Sequence, residues 1–143
     1  MGLNISHNCF CGAYSAFNIL RKTWFTALNC PPLIVMDGHY SENEEIYFKK
    51  DHPYFFNDLY NAFPIKWECL KYNPIFEIIH HSDCDGEIEW NKCKDIAEAL
   101  EKILPLLPEG GNNGHIWDYK EVTQKFINGL NNAYNLKENV VFR

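Results

Sequence analysis

An α+β fold, mostly helical and in a single domain spanning residues 1–143, is predicted by three observations. Three stretches repeat apolar residues at helical spacing. Two short stretches near the chain ends read as strands, and proline and glycine pairs break the chain between these segments. Residues 2–7 alternate, with Leu3 and Ile5 apolar and Asn4, Ser6 and His7 polar, which predicts a short strand with one face on the core. Residues 12–29 place Ala13, Phe17, Leu20, Trp24, Ala27 and Leu28 on one helical stripe, and Cys30-Pro31-Pro32 ends it. Residues 33–36 read as a short buried strand turned by Asp37-Gly38. From 39 to 72 the pattern is poor: an acidic loop around Glu42, Glu44 and Glu45, then an aromatic-rich stretch, 53–63, expected as a short helix or an irregular segment.

Asn73-Pro74 looks like a cap with proline at the first helical position, opening a short helix over 75–79. A polar turn, 81–87, precedes a helix over 89–104 whose stripe is Trp90, Cys93, Ala97, Leu100 and Leu104. A glycine and asparagine loop follows at 109–114. Asp118 with Glu121 three residues on fits a capping pattern, and the helix that it opens carries Val122, Phe126, Leu130 and Ala133. Residues 139–142 read as a closing strand.

Composition excludes several classes. Hydrophobic residues are 46% and charged residues 22% of 143, ordinary globular usage rather than that of a disordered chain. The net charge of −6 argues against capture of bulk nucleic acid, although a compact anion in a local pocket stays compatible with it. Apolar runs are too short to cross a bilayer, so no membrane partner is expected. Self-association stays open. The chain shows no charged-then-apolar leader, so a cytoplasmic setting is expected, and the six cysteines are expected to be reduced and mostly structural.

Two polar clusters stand out. The first, His80-His81-Ser82-Asp83-Cys84-Asp85-Gly86-Glu87, puts two imidazoles and three carboxylates into eight residues without a local cation. Carboxylates so placed repel one another unless a cation, a donor or a raised pKa relieves them. The plain alternative is a turn in which an aspartate caps the next helix and Gly86 takes a positive φ. An EF-hand loop is rejected, because Lys92 stands where the bidentate carboxylate belongs. A less regular divalent site from His81, Asp83, Asp85 and Glu87 remains a candidate, with no other cofactor expected. Zinc on Cys9, Cys11, Cys84 and a histidine is disfavoured by the one-residue gap in Cys9-Phe10-Cys11.

The second cluster is Ser6-His7 at the first strand's end with Tyr14 and Ser15 at the following helix start, where unpaired backbone N–H groups suit an anion. Against it stands a simple cap and a satisfied histidine. Trp117, after the glycine loop, is either a stacking surface for a ligand or a core or rim aromatic.

The opening Met-Gly-Leu-Asn-Ile-Ser-His, the run from Gly12 to Asn18, and the stretch from His81 to Ile88 followed by Cys93 and Ile103-Leu104-Pro105 resemble a group of small phage and prophage proteins. The resemblance covers about a third of the chain, omits 39–72, and carries no site assignment. It implies a phage setting, hence the cytoplasm of a bacterial host and an accessory role against host defence. The leading expectation is therefore a protein that binds and sequesters a small anionic ligand, of the cyclic-nucleotide or cyclic ADP-ribose type. Its site would draw on Ser6, His7, Tyr14, Ser15, His81, Ser82, Asp83, Asp85 and Trp117. The first alternative is a metal-assisted hydrolase of such a ligand, with His7 or His80 carrying protons and His81, Asp83, Asp85 and Glu87 holding the metal. The second is a protein–protein inhibitor of a host enzyme, working through 54–63. The sequence further predicts that the helices at 12–29 and 89–104 pack together, bringing Ser6-His7 and the turn 81–85 to one pocket.

Overall fold

The computed structural model describes residues 2–27, 74–79, 81–82, 85–111 and 116–143. The expectations for 33–36, 39–72 and 53–63, and those for His80, Asp83 and Cys84, lie outside these residues.

The fold is α+β and mostly helical: a four-stranded antiparallel sheet with three long helices. In chain order the elements are β1 (Leu3–Ile5), β2 (Phe10–Gly12), α1 (Tyr14–Ala27), α2 (Phe76–Ile79), β3 (Gly86–Ile88), α3 (Trp90–Ile103), α4 (Tyr119–Leu136) and β4 (Val140–Phe142), with a 3-10 turn at Leu104–Leu106. The sheet order is β2-β1-β4-β3, so the last strand is the inner partner of both β1 and β3. Ile5 lies opposite Phe142, and Gly86, Glu87 and Ile88 oppose Phe142, Val141 and Val140.

Strand alternation decides which side chains enter the core. Leu3, Ile5, Phe10, Ile88, Val140 and Phe142 are buried, whereas Asn4, Cys11 and Glu87 between them are exposed. The helices close the apolar side. Phe17 of α1 sits at the centre, with ring centroids 5.4 Å from Phe10, 6.4 Å from Phe126 and 6.0 Å from Phe142. Trp24 meets Phe126 edge-on, and its indole N–H donates to Thr123 Oγ1 at 2.8 Å, which satisfies both buried polar groups.

Two strands escaped the sequence reading. β2 lies where the sequence assigns no element to residues 8–11 and starts a helix at 12, and β3 lies at the end of the polar turn 81–87. Each carries a single large apolar residue, Phe10 in β2 and Ile88 in β3, too little for alternation to register, and each exists because β1 or β4 pairs with it. The helix packing also differs from expectation. α3 packs chiefly on α4, with a smaller contact to α1. α3 and α4 run antiparallel: Trp90 at the start of α3 meets Tyr134 near the end of α4, and Lys120 near the start of α4 pairs with Glu109, which follows α3. Asp118 caps α4 as expected, accepting the Glu121 N–H at 2.9 Å.

Candidate functional site

The first expected cluster begins in a tight hairpin. Cys9 N–H donates to the Ser6 carbonyl at 3.2 Å, and His7 and Asn8 both have φ of 58°, the pattern of a type I′ turn. Ser6 uses its hydroxyl to accept the Val141 N–H at 2.8 Å. The His7 imidazole is taken up by α4 and the chain after it. The Asn132 amide nitrogen lies 3.1 Å from Nδ1, and Glu138 Oε2 lies 3.3 Å from Nε2. An amide N–H can only donate, so Nδ1 accepts and Nε2 carries the proton toward the carboxylate. Lys137, left-handed at φ of 55°, closes α4 and sets Glu138 in that position.

Tyr14 and Ser15 do not join this turn. Gly12 pairs with Leu3, at the hairpin's open end, so α1 starts roughly 10 Å along the strands from Ser6, at about 3.4 Å per residue. Ser15 is exposed and Tyr14 packs in part against the core.

The other cluster is held at the β3 edge. The His81 ring lies on the Phe142 ring, with centroids 3.9 Å apart and planes 23° apart. Its Nδ1 is 2.8 Å from the Ser82 carbonyl and its Nε2 is 3.2 Å from the Glu87 carbonyl. Arg21, wholly buried in α1, donates to the carbonyls of His81 at 2.6 Å and Ile78 at 3.3 Å, with its guanidinium 4.4 Å over the Phe17 ring. Gly86 takes φ of 101°, as the turn reading requires, and the His81 ring occupies the space that a Cβ there would enter. Asp85 and Glu87 are exposed, and the Glu87 carboxylate accepts from Asn139 Nδ2 at 2.9 Å.

Ser6-His7 and His81-Ser82 therefore flank β4 from its two sides. The Ser6 hydroxyl holds Val141 from β1, and the His81 ring covers Phe142 and reaches the Glu87 carbonyl from β3. The His7 ring has a partner on each nitrogen and the His81 ring lies between two backbone carbonyls, so the clusters clasp β4. Among the described residues, no three His, Cys, Asp or Glu side chains stand close enough to hold a metal ion. Cys9 is buried and Cys11 exposed, so this pair does not face a common ion. Burial, reinforced by the neighbouring Cys93, pushes the Cys9 thiol from 9.0 up to about 12, and burial raises Cys93 to about 11. Neither is a nucleophile at neutral pH.

Trp117 stands apart at the start of α4 and is 70% exposed, a surface ring rather than a core one.

The sequence reading missed a set of four residues where α3 begins and α4 ends. Trp90 and Tyr134 are half-buried neighbours, with centroids 5.8 Å apart and planes tilted by 49°. Lys137 Nζ lies 5.9 Å over the Trp90 ring and Lys94 Nζ lies 5.7 Å over the Tyr134 ring. Each helix thus supplies a ring and, one turn on, a lysine that covers the other helix's ring. The available signal was spacing, Trp90 to Lys94 at i+4 and Tyr134 to Lys137 at i+3. Trp90 instead read as part of a core stripe, and nothing in the sequence pairs it with Tyr134. Asn139 Oδ1 accepts the Trp90 N–H at 3.0 Å, which fixes the first residue of α3 against the strand that follows α4. Two ring faces with two cations can hold a flat, negatively charged molecule.

No family model matches the chain, and neither a curated protein nor a solved structure does. Among the described residues, no helix is long and apolar enough to cross a membrane.

Proposed function

We propose that the protein binds and sequesters a small anionic ligand bearing flat rings, of the nucleotide-derived signal class. In the phage setting that its resemblance implies, the ligand would be a signal of host defence. One observation carries this reading: Trp90 and Tyr134 sit side by side, each with a lysine of the other helix over its face. Rings stack on bases of any identity, and lysines meet phosphate as point charges. Binding is favoured over hydrolysis because His7, a proton carrier in the hydrolase alternative, spends both ring nitrogens on the fold.

Calorimetry with a panel of cyclic nucleotides and ADP-ribose isomers tests the reading, followed by mass spectrometry of the recovered ligand. Binding of at least one member, recovered intact, is expected. A new product means catalysis, and no binding by any member at micromolar protein removes the reading. The exposed Trp117 favours a second reading, a protein–protein inhibitor, since exposed tryptophans anchor interfaces. A host protein retained by the wild type and lost from Trp117→Ala would support it.

A further inference from the structure

Resting on that binding reading, we propose that the crossed set recognises a cyclic dinucleotide, a closed ring with two bases and two phosphodiesters. The ground is a reciprocal arrangement. α3 and α4 run antiparallel, and each side carries a ring followed by a lysine: Trp90 and Lys94 within α3, Tyr134 within α4 and Lys137 at the left-handed residue that closes it. The pairing crosses between the two sides, with Lys137 5.9 Å over Trp90 and Lys94 5.7 Å over Tyr134.

A ligand with a single base and a single phosphate engages one half of such a set. A cyclic dinucleotide repeats base and phosphate about its own two-fold axis and engages both halves. Its two negative charges match the two lysines, and its closed backbone has little conformational freedom left to lose on binding. At 5.8 Å and a 49° tilt the protein rings leave no slot for a base between them, which needs about 7 Å for two van der Waals contacts of about 3.5 Å. The ligand therefore lies across the pair on its solvent side, with the lysines drawn from the ring faces onto the phosphates. Of the carboxylates at this end, Glu138 is engaged by His7 and Glu87 by Asn139.

The test is calorimetry of the full chain with cyclic di-AMP, cyclic di-GMP and 3′,5′-cyclic AMP, for the wild type, Lys94→Gln and Lys137→Gln. Both lysines are exposed, and circular dichroism of each variant checks that it keeps its fold. At least one cyclic dinucleotide is expected to bind at least about tenfold tighter than cyclic AMP, and each glutamine variant to lose affinity for it about fivefold or more, by similar amounts. Three outcomes overturn the inference while the binding reading stands: cyclic AMP binding as tightly, glutamine variants binding as well as wild type, or an ADP-ribose isomer binding where no cyclic dinucleotide does. No binding by any of these or by the wider panel removes both.

Discussion

The His81 imidazole lies flat on the Phe142 ring, centroids 3.9 Å apart, and joins a loop histidine to the penultimate residue of the chain. Phe142 in turn opposes Ile5 on one side and Gly86 on the other and meets Phe17 from α1. His81→Ala removes the stacked ring and both contacts to the Ser82 and Glu87 carbonyls. A loss of about 1–2 kcal/mol is expected, from an aromatic pair and a hydrogen bond at roughly 1 kcal/mol each. Urea unfolding measures it, and a change below about 0.5 kcal/mol would mean that the ring is a bystander.

Arg21 fixes the same loop from below by donating to the Ile78 and His81 carbonyls while lying over Phe17. Lysine keeps the charge but lacks the planar fork, so Arg21→Lys is expected to cost about 2–3 kcal/mol. A shift in the urea midpoint at unchanged slope reads this out. Wild-type stability in the lysine variant would show that charge alone suffices.

Gly129 brings α4 against the hairpin turn. A Cβ there would stand 2.5 Å from Cys9 Sγ and 2.8 Å from the His7 carbonyl. Alanine is the better helix former by about 1 kcal/mol, so propensity by itself predicts that Gly129→Ala stabilises. Backbone crowding outweighs that gain, and a net loss of about 2 kcal/mol or more is expected. A raised melting temperature would refute the close approach.

The buried thiols set an alkaline limit. Cys9 and Cys93 hold their protons in the fold to about 12 and 11, against 9.0 for an unperturbed thiol. Well below pH 9 neither state ionises, and the fold keeps its full stability with respect to these groups. As pH rises above 9 the unfolded chain gives up protons that the fold retains. Stability then falls by up to about 1.4 kcal/mol per pH unit per thiol, until the folded values are reached. Urea midpoints between pH 8 and 11 check the slope. Iodoacetamide under native conditions at pH 8 should modify exposed Cys11 and spare Cys9 and Cys93 until urea is added. Native modification of Cys9 would contradict its burial.

The sequence by itself determined the elements that carry their own signal. The stripes of α1, α3 and α4 repeat over three or more turns, and the Asp118 cap is written in two residues, so local physics suffices. β1 was legible from Leu3 and Ile5 alternating with polar Asn4, and β4 from the apolar run Val140-Val141-Phe142. Tertiary structure decided the partners. β2 and β3 exist only through pairing, and the roles of Ser6, His7 and His81 depended on whether a neighbour would use their polar atoms first. It did: β4 takes the Ser6 hydroxyl, Asn132 and Glu138 take His7, and backbone carbonyls take His81. The crossed Trp90, Lys94, Tyr134 and Lys137 set was hidden for the same reason. Its members lie up to 47 positions apart in the chain, and only the antiparallel packing of α3 on α4 brings a lysine of each helix over the ring of the other.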